Sequence, residues 1–370
     1  MTRLGDPLTL RGMILRNRLV MAPMVTGMAV DHAPSAGQLA WYLEHARSGV
    51  GLVIVESAAI APDGKLLPFM LGIWEDGQVP ALARLAAVIQ TEGVPAVLQI
   101  VHGGAKAWRS DILGERMGAS PVPIAAGPAP REMSETDITD IIRAFAQAAR
   151  RAQAAGFAGV ELHGAHYYLI SQFLSPATNR RSDRWGGDRD GRARLGLEVI
   201  RAVRREVGPD YPLFMRMHAV ELFEGGMSEA DAIHFARAFQ EAGIDVIDAS
   251  GIGTSSMGDW KGQPFLNTSS VLPKGQVGGA FAPFTGRMKE ALDIPVIAVG
   301  KLGEPGLAQA VLAAGQADLV ALARQLIADP LAAAKLLEGR EQDILRCQEC
   351  LACFVSIRKG PLKCGVNKAL

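Results

Sequence analysis

The sequence predicts a (β/α)8 TIM barrel, an α/β fold, carrying a short Cys-rich C-terminal extension. Three observations predict it. Apolar runs of strand length, rich in Val and Ile, recur eight times along the 370 residues. Stretches of helical period lie between several of them. No glycine-rich phosphate turn follows an early strand, as a doubly wound sheet would need; the segment after RLVMAP reads MVTGMAVDHAPS. Eight strands alternating with helices over about 250 residues or more fit a closed barrel.

The runs, in order, are RLVMAP (18–23), GLVIVES (51–57), AVLQIVH (96–102), GVELHG (159–164), PLFMRMH (212–218), DVIDAS (245–250), PVIAVG (295–300) and DLVALAR (318–324). Ahead of the first, LTLRGMILRN alternates around Arg11 and Gly12 and reads as a small hairpin closing the barrel floor. Helices are clearest at 137–156, 228–243 and 304–315, each ending in Gly, a common helix stop. Ser228 with Asp231 resembles a capping box, with Asp in place of the usual Glu. The connections 103–136, 165–191 and 251–285 are long and rich in Gly, Pro and Ser. In this fold the loops after the strands build the active site. The expected division is a barrel over 1–340 and a tail over 341–370.

Composition narrows the function. With 38 basic and 38 acidic residues the formal charge is zero, which argues against a nucleic-acid surface. The apolar runs are short and interrupted by Gly, Pro or charge, so no membrane span is expected. The opening MTRLGDPLTLRG lacks an apolar signal core. The expectation is a cytoplasmic protein acting on a small-molecule substrate.

The strands turn polar at one end. Gln99 and His102 lie on the third, Glu161 and His163 on the fourth with His166 just beyond, and Arg216 and His218 on the fifth. The sixth ends with Asp248 and Ser250, the seventh with Gly300 and Lys301, the eighth with Arg324. Period-two alternation puts Glu161 and His163 on one face and Val160 and Leu162 on the other. The histidine pair admits three readings. It could hold a metal with His102 or Asp248 as a further ligand. It could be two structural histidines. Or both could donate N–H groups to one substrate oxygen, with a nearby tyrosine supplying a proton.

All four cysteines, Cys347, Cys350, Cys353 and Cys364, fall within RCQECLACFVSIRKGPLKC. A disulfide framework would spread them through the fold. Three close thiolates and one distant resemble iron–sulfur ligation more than zinc, whose sites usually come as two separated pairs.

The block AGFAGVELHGAHYYLISQFLSPATNRRSDRWGGDRDGR (155–192), with NRLVMAPM (17–24), LQIVHGG (98–104) and ADLVALARQLIADP (317–330), resembles the Old Yellow Enzyme family. The resemblance implies an FMN-dependent oxidoreductase in which His163 and His166 grip a substrate carbonyl and Tyr168 delivers a proton. Tyr167 stands where relatives often carry Gly. By the same resemblance Gln99 and Arg216 meet the pyrimidine edge of FMN, and Pro23, Met24 and the backbone near Ala59 line its ring. Gly300, Lys301 and Arg324 hold its phosphate. Val25 departs from a frequent Thr or Cys, and Lys301 from a frequent Gly.

The tail is similar to the branch of 2,4-dienoyl-CoA reductase and trimethylamine dehydrogenase, which implies that the four cysteines ligate a [4Fe–4S] cluster. That branch continues into nucleotide-binding domains, and no second dinucleotide fingerprint follows here. Electrons then come from NAD(P)H over the FMN or from a partner protein through the cluster, or the chain is a fragment. The reactions implied are NAD(P)H-dependent reduction of the C=C bond of an α,β-unsaturated carbonyl, or amine oxidation. A redox carrier without turnover is a third, non-enzymatic class. Relatives often associate, so a homo-oligomer is an open expectation.

Overall fold

The computed structural model describes residues 1–108, 115–124, 126–269 and 271–370. Part of the long 103–136 connection, at 109–114 and 125, therefore lies outside the described residues. Eight parallel strands form the barrel: β1 Leu19–Met21, β2 Leu52–Ala59, β3 Ala96–Val101, β4 Gly159–Gly164, β5 Leu213–Glu221, β6 Val246–Ile252, β7 Val296–Ala298 and β8 Leu319–Leu322. Each pairs with its sequence neighbours, and β1 pairs with both β2 and β8, which closes the cylinder. The strands are buried on both faces, which is why they read as near-continuous apolar runs.

The interior has two levels. Val20, Leu52, Ile54, Val97, Phe214, Val246, Ile297 and Leu319 fill the lower one. The expected hairpin, Leu8–Leu10 against Met13–Leu15, seals it from below with Leu10, Met13 and Leu15. Arg11 and Gly12 both take positive φ at its turn. Two residues further up the same strand faces stand Gln99, Arg216 and Asp248. Val160 and Leu162 pack outward among the helix side chains, as alternation requires.

The outer helices start and stop on local signals. α1 (Ala36–Arg47) is capped by Ser35, α2 spans Val79–Gln90, and α3 (Glu135–Ala154) begins with a Ser134–Asp137 capping box. α4 (Leu169–Leu174) follows the histidine loop, and α5 covers Arg189–Val207. The Ser228–Asp231 capping box opens α6 (Glu229–Ala242), and Gly243 ends it at φ 115°. α7 is Ala282–Glu290. α8 is shorter than the expected 304–315: it runs Leu307–Ala313, because left-handed Gly306 stands at its N-cap. α9 (Arg324–Ala328) and α10 (Ala332–Leu337) follow β8, and α11 (Ala352–Ser356) lies in the tail. Among the described residues no helix is long and apolar enough to cross a membrane.

The 251–285 connection differs from the loop expected. It carries an antiparallel hairpin, Thr254–Trp260 against Gln263–Ser269, turning at Lys261 and Gly262. Among their described side chains TSSMGDW and QPFLNTS offer no buried apolar face, so sequence alternation does not reveal them.

A register irregularity between Val55 and Ala58 matters above it. It leaves Ser57 facing Gln99 inside the barrel and Glu56 facing Thr26, Gln38 and Tyr42. Glu56 is fully buried, and burial pushes its carboxyl up to about 7 against hydrogen bonds from Thr26, Gln38 and Tyr42. An acid held more basic in the folded state contributes stability that is complete below its unfolded value and is lost as pH rises. Stability should therefore fall between about pH 4.5 and 7, by roughly 3 kcal/mol at most from this group. Denaturant unfolding across that window should show a smaller pH slope in Glu56→Gln than in the parent; equal slopes would refute the assignment.

Candidate active site

The polar level of the barrel is a chain of buried contacts. Ser57 Oγ donates to Gln99 Oε1, and Gln99 Nε2 donates to Glu161 Oε1 at 2.7 Å. Across β5 and β6, Arg216 Nη1 donates to Asp248 Oδ2 at 2.7 Å. Parallel register sets these neighbours: Gln99 lies beside Glu161, and Arg216 beside both His163 and Asp248. Arg216 Nε is buried without a partner among the described residues.

Above this level sit the two histidines. Their rings are 5.0 Å apart, and the Tyr168 ring stands 4.8 Å from His163. Burial holds both imidazoles well below their usual range, helped by the nearby Arg216, so both are neutral. Ala165 N–H donates to His163 Nδ1 at 3.3 Å, which puts the ring proton on Nε2. His166 Nε2 is 2.8 Å from Ser250 Oγ. The metal reading loses its further ligands. His102 accepts from Gly104 N–H and faces Asp63, and Asp248 is taken by Arg216. Among the described residues no group of three or more His, Cys, Asp or Glu side chains is arranged to hold a metal ion.

The two tyrosines separate clearly. Tyr167 is fully buried and donates from Oη to Glu221 Oε2 at 2.6 Å. Glu221 also accepts from Ser175 Oγ and Met227 N–H, both at 2.7 Å. Its other oxygen takes His218 Nδ1 at 2.9 Å, and His218 Nε2 accepts the His166 N–H at 2.6 Å. Burial alone would raise the Glu221 carboxyl, but these hydrogen bonds hold it below its ordinary value. The network fixes His166 and Tyr167 in consecutive left-handed conformations, φ 59° and 58°, each costing about 1–3 kcal/mol. Tyr168 is only partly buried, and its hydroxyl has no hydrogen-bond partner among the described residues. Burial pushes it up to about 12, so it is a protonated phenol at neutral pH. Lys106 lies 5.5 Å over its ring and donates to His166 O at 3.0 Å.

Other expected positions line the same mouth. Pro23 and Met24 are partly buried after β1, and Ala59 is fully buried at the end of β2, in a cluster with Val101 against which Val25 and Tyr168 pack. Gly300 lies two residues past β7 at φ 115°, and Arg324 opens α9 with Nη1 buried and unpartnered among the described residues. The two orphaned arginine N–H groups, on Arg216 and Arg324, fit a ligand with a polar ring edge and an anion, as FMN has. Lys301 departs from expectation. Its ammonium donates to Pro273 O, Gln276 O and Glu349 Oε2, at 2.7, 3.0 and 2.7 Å, which uses all three N–H groups. It fastens the tail instead of presenting a donor to phosphate.

The tail comes back to the mouth. Leu362 N–H donates to Thr26 O at 2.8 Å, and a Cβ on Gly27 would stand 2.4 Å from Gly360 O. All four cysteines are free thiols. Cys364 Sγ accepts from the N–H groups of Val366 and Asn367, both at 3.3 Å. Backbone N–H groups draw the exposed Cys350 thiol down, while burial and the neighbouring Cys347 push Cys353 up. A Cβ at Gly365 would stand 2.7 Å from Cys350 Sγ. Among the described residues the four thiols are not gathered as a metal-holding group, so the expected [4Fe–4S] ligation by Cys347, Cys350, Cys353 and Cys364 is not seen here.

The model of one protein family, described as the NADH:flavin oxidoreductase / NADH oxidase family, matches residues 3–343. The chain belongs to this family. That agrees with the Old Yellow Enzyme resemblance of the sequence. The chain is 37% identical over 365 residues to an NADH oxidase of Thermoanaerobacter brockii, covering 96% of this chain and 54% of that one. It is 37% identical over 331 residues to an NADPH dehydrogenase of Bacillus licheniformis, covering 89% of this chain and 92% of the relative. Among solved structures, a 2-naphthoyl-CoA reductase in complex with 2-naphthoyl-CoA superposes with a TM-score of 0.86 at 28% identity. That match covers 99% of this chain and 57% of the other. The chain thus spans about half the length of the NADH oxidase and of this reductase.

Glu221, Ser57 and Lys106 belong to the site and carry no motif that singles them out. Tyr167→Phe would leave buried Glu221 short of one donor and cost about 1–3 kcal/mol of stability. Tyr168→Phe breaks no contact of its hydroxyl and should leave stability within about 0.5 kcal/mol. Thermal unfolding of both variants checks this; equal losses would contradict the division of roles.

Proposed function

We propose that the barrel binds FMN across its mouth and reduces the C=C bond of an α,β-unsaturated carbonyl compound with electrons from NAD(P)H. The observation that carries this reading is the grouping of two histidines and one tyrosine, whose hydroxyl has no hydrogen-bond partner among the described residues, above a floor of hydrogen-bond donors. Bound FMN would supply the hydride chemistry. Gln99 and Arg216 would hold the pyrimidine edge, and Gly300 and Arg324 the phosphate. Arg216 Nε, buried and unpartnered, favours negative charge there.

The substrate side uses the chain's own protons. A neutral imidazole donates one N–H, and His163 is held in the Nε2-protonated form by Ala165. His163 and His166 together polarise the activating carbonyl, which lowers the cost of charge on its oxygen. Tyr168 keeps its proton at neutral pH and gives it to the α-carbon. Tyr168→Phe should slow enone turnover about 10²–10⁴-fold, and loss of either histidine about 10²–10³-fold, with flavin reduction by NAD(P)H little changed. Stopped-flow bleaching and recovery of the flavin band separates the two half-reactions. Unaltered enone rates in all three variants would sink the assignment.

A second reading is favoured by one observation: the four-thiol tail is fastened to the mouth through Lys301–Glu349 and Thr26–Leu362. In that reading Cys347, Cys350, Cys353 and Cys364 would hold a [4Fe–4S] cluster, which would supply electron transfer to a partner protein, and an amine would be the substrate oxidised. Anaerobically purified protein should then contain iron and acid-labile sulfide in equal amounts, about four of each per chain. Zinc, or no metal, in the same assay would exclude the cluster and leave the ene reductase driven by NAD(P)H alone.

A further inference from the structure

The polar level of the barrel holds two acids and one cation. Glu161 and Asp248 are both fully inaccessible to solvent, and Arg216 is the guanidinium beside them. With both acids ionised the level would bury one uncompensated negative charge, under a ligand that gains negative charge when reduced. The hydrogen bonds point elsewhere. Glu161 Oε1 accepts from Gln99 and Asp248 Oδ2 from Arg216, while Glu161 Oε2 and Asp248 Oδ1 are buried with no partner among the described residues. The two carboxyl groups lie within hydrogen-bonding reach of each other. Ionised carboxylates only accept, so two of them cannot bond. One proton between them turns two orphaned groups into one hydrogen bond.

We propose that Glu161 and Asp248 form a one-proton carboxyl pair, with the proton on Glu161, and that the pair positions Gln99 and Arg216 for the ligand of the barrel mouth. Asp248 keeps the charge because it accepts the guanidinium of Arg216. Glu161 accepts only an amide N–H from Gln99 and gains least from ionising. Burial and the adjacent Asp248 charge both push the Glu161 carboxyl well above its ordinary range. Hydrogen bonds then run toward Asp248 from both sides: Ser57 to Gln99, Gln99 to Glu161, Glu161 to Asp248, and Arg216 to Asp248. Each link orients the next. Ser57 holds the Gln99 carbonyl, so its amide nitrogen faces Glu161 and keeps one N–H unspent. Arg216 keeps Nε–H unspent. The level is neutral and offers two aligned donors. Its ligand rests on the FMN reading above; the pair itself does not.

Infrared spectroscopy tests the pair on the apoprotein. The spectrum of the parent minus that of Glu161→Gln should show the C=O stretch of an un-ionised carboxylic acid, shifting in D2O. Other protonated acids, Glu56 included, cancel in the difference. An ionised-carboxylate signal in its place would overturn the proposal. The positioning role is read from FMN affinity by fluorescence titration. The side-chain amide introduced by Glu161→Gln still accepts from Gln99 and donates to Asp248, so this variant should bind FMN within about threefold of the parent. Glu161→Ala breaks both bonds and should weaken binding about tenfold or more. Equal weakening in the two variants would refute positioning. A parent that bound no FMN would refute the cofactor reading, and the infrared result would still decide the pair, using only the parent and an isosteric variant.

Discussion

Inward-facing positions on neighbouring strands of a closed parallel barrel stack in levels two residues apart, and here the lowest level is apolar and sealed. Val97, Phe214 and Val246 lie at that level, with the hairpin residues Leu10, Met13 and Leu15 beneath. The next positions on the same faces, Gln99, Arg216 and Asp248, face only packed apolar side chains below and must satisfy one another. The hydrogen bonds from Ser57 to Gln99 to Glu161, and from Arg216 to Asp248, follow from that requirement. The histidines rest on this level, and their neutrality comes from the same burial. Strand geometry thus dictates both where donors point and which protonation state they hold.

A second centre of organisation is Glu221. It gathers Tyr167, Ser175, the Met227 N–H and His218, and through His218 it reaches the His166 backbone. Two consecutive left-handed residues without glycine are costly, and such conformations persist only where surroundings over-determine them. Tyr167 therefore supports the loop while Tyr168 faces the mouth, with the same residue type serving opposite purposes at adjacent positions.

Much of this was legible in the sequence. All eight strands lie where apolar runs of period and length predict them, and the floor hairpin and the Ser228–Asp231 box follow from local signals. The polar strand ends, including Gln99, His163, Arg216 and Asp248, fall on the inward face because alternation is a local property. What was not legible depends on closeness across the fold. The irregularity in β2 that turns Ser57 inward is invisible in GLVIVES. Glu221 lies 54 positions from Tyr167 and Glu349 lies 48 from Lys301, so their partnerships have no sequence spacing to betray them. Lys301 looked like a phosphate ligand because only its neighbours in the chain were visible.

The tail is tied to the barrel mouth at two points, Lys301 with Glu349 and Leu362 with Thr26, and Thr26 is itself bonded to Glu56. Ties of this kind make separate equilibria interdependent. Any free energy that occupation of the thiols spends in shifting Thr26 must reappear, equal in size, as a change in the affinity of the mouth for its own ligand. The same reciprocity extends to the proton on Glu56, which titrates near neutrality within the same network. Where a thiol ligand shifts Thr26, the affinity of the mouth and the proton uptake of Glu56 shift with it, and the three titrations become linked.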